Sequence, residues 1–210
     1  MLINEGIIEL IRSIESKEPT PGGGSVSAIV GALGSSLALM YQNLSFEKPS
    51  YLELDKEIRD IFKAVFDKLL VIQEKLLELS QKDADAYDSV VSAYRLPKES
   101  EEDIEVRKAE IEKATILATE TPLAIMRTAC DGLKLIAEIV GYGNKNAISD
   151  AGVAAILLTA ACEGAALNVK INIPILDSDK QNGYLEELKK LSDSSAIFKK
   201  SIIETVNEKM

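Results

Sequence analysis

Between residues 52 and 94 the chain contains neither proline nor glycine, and its apolar residues recur at alternating steps of four and three. Ile58, Phe62, Val65, Leu69, Ile72, Leu76 and Leu79 form that seam. Such spacing keeps one stripe of a helix against a neighbour over many turns. A helix of about 40 residues is roughly 60 Å long at 1.5 Å per residue. Packing one of that length needs other long helices, and it hints at an oligomer.

The flanking segments read the same way. Residues 3–16 place Ile3, Ile7, Leu10, Ile11 and Ile14 on one helical face. Residues 25–44 are uncharged, with Gly31, Gly34, Ala28, Ala32, Ser35 and Ser36 allowing close helix contact. Length alone would let this segment cross a membrane. Its glycines and serines, Gln42 and Asn43, and the lack of a second clear span favour a central buried helix instead. Pro97 ends the long helix, and Ser100 with Asp103 resembles a capping box for the next. Thr121 and Pro122 look like the N-cap and first-turn proline of a further helix ending near Gly141. A polar loop over residues 141–149 precedes a small-residue helix capped by Ser149 or Asp150 and running towards Asn172. Ile171, Asn172 and Ile173 could form a short extended piece, and Asn182-Gly183 precedes a charged last helix. The expected fold is therefore all-α: one helical-bundle domain over residues 1–210, with one long helix.

Composition narrows the chemistry. The chain has no histidine, which removes Ser-His and Cys-His nucleophile pairs, the usual zinc hydrolase sites and the di-iron helices of ferritin-like bundles. A metal site is not expected, so acid–base work falls to Asp, Glu, Lys, Tyr or a substrate group. A formal charge of -10 argues against a nucleic-acid partner, since phosphate binding relies on Lys and Arg. Cys130 and Cys162 match neither a CxxC pair nor a zinc spacing and read as reduced, buried thiols of a cytoplasmic protein. The first residues carry Glu5 and Glu9 and lack the pattern of a signal peptide.

Three places break the apolar rules. The run PTPGGGS at residues 19–25 joins a rigid proline pair to a turn without side chains. Gly22, Gly23 and Gly24 permit φ > 0 or close approach, and Ser25 is a candidate N-cap. The loop either packs closely or binds a ligand, and it lacks the Lys-Ser/Thr of a phosphate loop. Continuing the long seam by the same steps reaches Asp83, a carboxylate where burial is expected, which then needs a cation, donors or a shifted pKa. Tyr87 lies one turn on and could donate to it. In the next helix, Ile104, Ile111, Ala114 and Ala118 define a seam on which Arg107 falls. Arg107 then pairs with Asp83 or extends to solvent. Asp85 and Asp88 lie off the seam and read as solvated. The third place gathers Asn144, Lys145, Asn146, Ser149 and Asp150. Asn168 follows Asp150 by five helical turns and returns to the same face, with Asn172 one turn later. Asn144 and Asn146 read equally well as turn formers and Asp150 as a cap.

The runs PTPGGGS, KDADAY at residues 82–87, LPK at 96–98, Arg107, GNKNAISD at 143–150 and ALNVKIN at 166–172 together resemble the cyclodeaminase/cyclohydrolase family. Its members are the C-terminal domain of formiminotransferase-cyclodeaminase and free-standing bacterial relatives. The resemblance implies a dimer-forming helical enzyme acting on a tetrahydrofolate derivative, without a tightly bound cofactor. Formimino transfer itself is not among the expected activities. The first expected reaction cyclises 5-formiminotetrahydrofolate to 5,10-methenyltetrahydrofolate with loss of ammonia. The alternative hydrolyses 5,10-methenyltetrahydrofolate to 10-formyltetrahydrofolate, and a non-catalytic folate-binding scaffold is the remaining reading. Asp83 is the leading catalytic carboxylate and Asp150 the second. Asn144, Asn146 and Asn172 would read ring edges, since amides both donate and accept. The residue 22–25 amides would hold a glutamate tail or line the reacting end. Lys98 and Lys145 are the nearest cations for a carboxylate. Tyr87 and Arg107 complete the expected binding set.

Overall fold

The computed structural model describes residues 5–210, so Ile3 lies outside the described residues. Among the described residues seven α-helices follow one another: α1 Glu5–Ile14, α2 Gly23–Asn43, α3 Pro49–Leu52, α4 Lys56–Tyr94, α5 Glu101–Ile139, α6 Ile148–Asn172 and α7 Ser178–Lys209. No strand occurs among the described residues. The fold is the all-α bundle that the sequence predicts, and α4 is 39 residues long. Its seam is buried at Phe62, Val65, Leu69, Ile72, Leu76 and Leu79, as the four-three spacing requires.

At the centre lies α2, which packs on α6 and α4. The pairings Ser25 with Asp83 and Gln42 with Phe62 set α2 antiparallel to α4. Gly23 against Asn168, Gly31 against Ala161 and Gly34 against Leu157 set it antiparallel to α6 as well. A Cβ at Gly31 would stand 3.1 Å from Ala161, and one at Gly34 would stand 3.0 Å from the Ala154 carbonyl. The small residues of both helices thus let the backbones approach closely. Charge-free sequence follows from this burial. Among the described residues two helices are long and apolar enough to span a membrane, Gly23–Asn43 and Lys145–Ile175, and 56% of each apolar window is buried in the bundle. The second corrects the expectation of a single such segment.

Several predicted boundaries shift. Helix α5 runs unbroken through Pro122, so Thr121 is no N-cap. Its hydroxyl instead donates to the Leu117 carbonyl at 2.9 Å, within the same helix. The loop after Gly141 tightens into a 3-10 turn, Lys145–Ala147, and α6 starts behind Ala147 without a side-chain cap. Ser149 and Asp150 are therefore first-turn residues. Residues 171–172 are helical, and Ile173–Ile175 is a 3-10 turn with no strand to pair with. Asn182 and Gly183 lie inside α7, which Asp177 caps by accepting from the Lys180 N–H at 2.9 Å. Ile104 is 52% exposed, because the α4–α5 hairpin extends beyond the other helices at this end. Helix α1 buries no residue, and Ile7, Ile11 and Ile14 remain exposed.

The Ser100–Asp103 capping box forms as predicted. The Ser100 hydroxyl accepts from the Asp103 N–H at 3.1 Å, and the Asp103 carboxylate accepts from the Ser100 N–H at 3.1 Å. Ser100→Ala is expected to lower unfolding free energy by about 1 kcal/mol in a urea titration, since it leaves a helix-start amide unpaired.

Candidate functional site

The N-terminus of α2 is built for close approach. Gly22 is its N-cap in extended backbone, and no described glycine has positive φ. The glycines are thus required for space, since the left-handed backbone that the sequence allowed is not used. A Cβ at Gly22 would stand 3.2 Å from the Pro19 carbonyl, and one at Gly23 would stand 3.3 Å from Asn168 Nδ2. At Gly24 it would overlap the Asp83 carboxylate. Ser25 is therefore inside the helix and is not its cap.

Asp83 reaches this helix start from α4. The Ser25 hydroxyl donates to Asp83 Oδ2 at 3.0 Å, and the Ser25 backbone amide beside it also favours the anion. Burial raises the Asp83 pKa above the ordinary carboxylate value, and the Ser25 hydroxyl and backbone pull it back only in part. The free amides of the helix start also favour the anion. The result is a half-buried carboxylate held by the Ser25 hydroxyl, with no paired cation among the described residues, a poised proton acceptor.

Asp83 opens into a cleft of about 380 Å³, within the ~300–1,000 Å³ typical of small-molecule sites. Its walls are Pro19, Thr20, Gly22 and Gly23 on one side and Asp83, Tyr87 and Val90 on another. Asn168, Ile171 and Asn172 of α6 close it, with Ala118 of α5 beneath. No lysine or arginine lines it. Acceptors and one carboxylate face a substrate there, so the cleft suits a cationic or N–H-rich group. Larger open grooves flank the α4–α5 hairpin, but Asp83 faces neither.

The predicted residues divide into two groups. Gly22, Gly23, Asp83, Tyr87 and Asn172 meet at the cleft, with Gly24 and Ser25 directly behind the carboxylate. Tyr87 lines the cleft at 42% exposure, and its hydroxyl makes no hydrogen bond to Asp83, whose side-chain donor is Ser25. Arg107 does not pair with Asp83. It donates to the Tyr94 carbonyl at 3.1 Å and stacks over the Tyr94 ring. That places it on the α4–α5 hairpin, whose turn also carries Lys98.

The other loop lies at the opposite end of α2. Asn144 donates through Nδ2 to the Leu44 carbonyl at 3.1 Å, and its backbone N–H donates to Ser45 Oγ at 2.8 Å. Asn144 also caps the 3-10 turn by accepting from the Asn146 N–H. Its place beside Leu44 and Ser45 holds Lys145, Asn146 and Asp150 at the same end. Eighteen residues of helix separate Asp150 from Asn168, about 27 Å along the axis. A shared face is not a shared place, so this loop and the glycine loop do not wall one cleft within the chain. Sequence reasoning gave no binding role to Asn168, Thr20 or Ala118, all of which line the cleft. The phase of Asn168 with Asp150 pointed to the right face at the wrong height.

A formiminotransferase-cyclodeaminase family model matches residues 6–191. The chain belongs to this family. Among its relatives, a methenyltetrahydrofolate cyclohydrolase from Methylorubrum extorquens is 36% identical over 208 residues, covering 99% of this chain and 98% of that protein. The formimidoyltransferase-cyclodeaminase of Sus scrofa is 29% identical over 85% of this chain, which spans 32% of the longer protein. The crystal structure of formiminotetrahydrofolate cyclodeaminase from Thermotoga maritima superposes with a TM-score of 0.84 at 26% identity, covering 96% of both chains. The family's helical fold is thus the fold found here.

Proposed function

We propose that the protein hydrolyses 5,10-methenyltetrahydrofolate to 10-formyltetrahydrofolate in the Asp83 cleft. The observation that carries this reading is the desolvated, donor-held Asp83 carboxylate in a cleft without cations. The resemblance alone puts cyclodeamination first. The full-length cyclohydrolase relative at 36% identity moves hydrolysis ahead.

The substrate's methenyl carbon sits in a cationic amidinium between N5 and N10, so it is already electrophilic. Asp83 attracts that charge and accepts a proton as water adds to the carbon. The neutral tetrahedral adduct then opens. The C–N5 bond breaks, the hydroxyl loses its proton as the formyl C=O forms, and N5 gains a proton. Asp83 is placed to carry that proton between water and N5, and one proton is released overall. The step uses the carboxylate, water and the substrate's own charge, with no metal and no tightly bound cofactor.

Cyclodeamination is the second reading, favoured by the likeness to the Thermotoga maritima structure. It passes through a tetrahedral carbon at the same place, with ammonia leaving and N10 losing its proton. Supplying each folate separately distinguishes the two. Loss of the methenyl chromophore with formyl product is the expected result. Its appearance from the formimino compound would establish deamination instead, and no change with either substrate would leave only a binding role. A homodimer belongs to the same proposal, because α1 and the α4–α5 hairpin leave Ile11, Tyr94, Val106 and Leu117 exposed. Sedimentation velocity at micromolar concentration should then give twice the 22.8 kDa chain mass.

A further inference from the structure

At the base of the cleft, α5 passes beneath the end of α6. Pro122 is buried inside α5, and proline has no N–H to give. The carbonyl four residues back, Ala118, therefore lacks its helical donor. Asn172 supplies one. Its Nδ2 donates to the Ala118 carbonyl at 2.7 Å and to the Asn168 carbonyl at 3.1 Å.

Both partners are carbonyl oxygens, so the two ends of this amide are fixed by chemistry. The nitrogen must face them, and Oδ1 must point away. Asn172 lines the cleft, and its Oδ1 is neither a buried unpaired atom nor bonded to any described group. It is an acceptor held facing the space beside Asp83.

We infer that Pro122 is a positioning residue: by leaving the Ala118 carbonyl without a helical donor, it locks the Asn172 amide so that its oxygen reads an N–H donor of the substrate. The chemistry recognised is an N–H edge such as that of an aminopyrimidinone ring, and this rests on the cleft being the folate site. An alanine at 122 restores the backbone N–H to the Ala118 carbonyl. Asn172 then shares the Ala118 carbonyl with that N–H and keeps only the Asn168 carbonyl to itself, so its amide turns more readily between donor and acceptor faces.

A double-mutant cycle on the full chain tests the link. Asn172→Ala is expected to raise KM about tenfold, the scale of one neutral hydrogen bond, with kcat within about twofold. Pro122→Ala is expected to raise KM about fivefold in the native background and to add nothing in the Asn172→Ala background. Additive effects, or an unchanged KM in either single variant, overturn the inference. A folate-free readout separates it from the proposed reaction. Side-chain amide exchange of Asn172, followed by nuclear magnetic resonance, should accelerate in Pro122→Ala, and an unchanged rate overturns the inference. The cleft reading stands or falls separately, on whether Asp83→Asn loses turnover.

Discussion

Asp83→Asn is expected to lower turnover by about 10²-fold or more, the contribution of a positioned acid–base group, while the helical fold is kept. Asparagine matches aspartate in shape and still accepts from the Ser25 hydroxyl, so the α2–α4 contact survives. It cannot take a proton or balance the substrate's positive charge. Stability should move the opposite way. The folded-state pKa of Asp83 is raised by burial, so the folded chain binds its proton more readily than the unfolded chain. The stabilisation from that proton is complete below the ordinary value of 3.8 and is lost as pH rises through the raised folded-state value. At neutral pH the buried anion is therefore a net strain on the native state. The asparagine variant should melt no lower than the native protein there, and its relative Tm should increase from pH 4 to pH 7. Activity in the native protein should rise with pH through the same titration, and that acid limb should vanish in the variant. Near-normal turnover in Asp83→Asn would remove the carboxylate from the mechanism.

Gly24→Ala should be nearly as damaging, although it adds a single methyl group. That methyl would overlap the Asp83 carboxylate. The helix start cannot retreat easily, because Gly22 is close to the Pro19 carbonyl and Gly23 is close to Asn168. The carboxylate must rotate instead, and it loses the Ser25 bond in doing so. Turnover should fall towards the Asp83→Asn level, about 10²-fold. Overpacking of this kind costs about 1–3 kcal/mol, read as a lower urea midpoint. The two substitutions disable the same group, so the double variant should be little worse than Asp83→Asn alone. Additive losses would mean that Gly24 serves the site by another route.

Periodicity made the fold legible, and it also located the carboxylate. Asp83 stands out because it occupies a seam position in a pattern otherwise apolar through Leu79. The Ser100 capping box was readable for a similar reason: both its partners lie within one turn. Pro122 misled, because a proline after threonine has the same local signature at a helix start and inside a helix. What lets α5 continue is a donor on another helix, Asn172, 54 positions from the Ala118 carbonyl that it serves. Nothing local encodes that. The Asn144–Asp150 loop misled through the same gap between phase and height. Helical spacing shows which face a residue occupies, and only the pairing of α2 with α6 shows which end. Arg107 fell on a seam by count, but its guanidinium is held within the hairpin, over the Tyr94 ring and against the Tyr94 carbonyl.

The central position of α2 also has a consequence for biosynthesis. This uncharged helix ends at Asn43, and its main partner α6 is complete only at Asn172. At the usual ~5–20 residues per second of synthesis, α2 waits roughly 6–26 s before α6 can cover it. During that interval a 21-residue segment of mean hydropathy 1.5 is outside the ribosome with only α4 and α5 to shelter it. The nascent chain should therefore be a client of general hydrophobic-binding chaperones until its last third is made. Truncations that stop before α6 should accumulate as aggregates or be degraded.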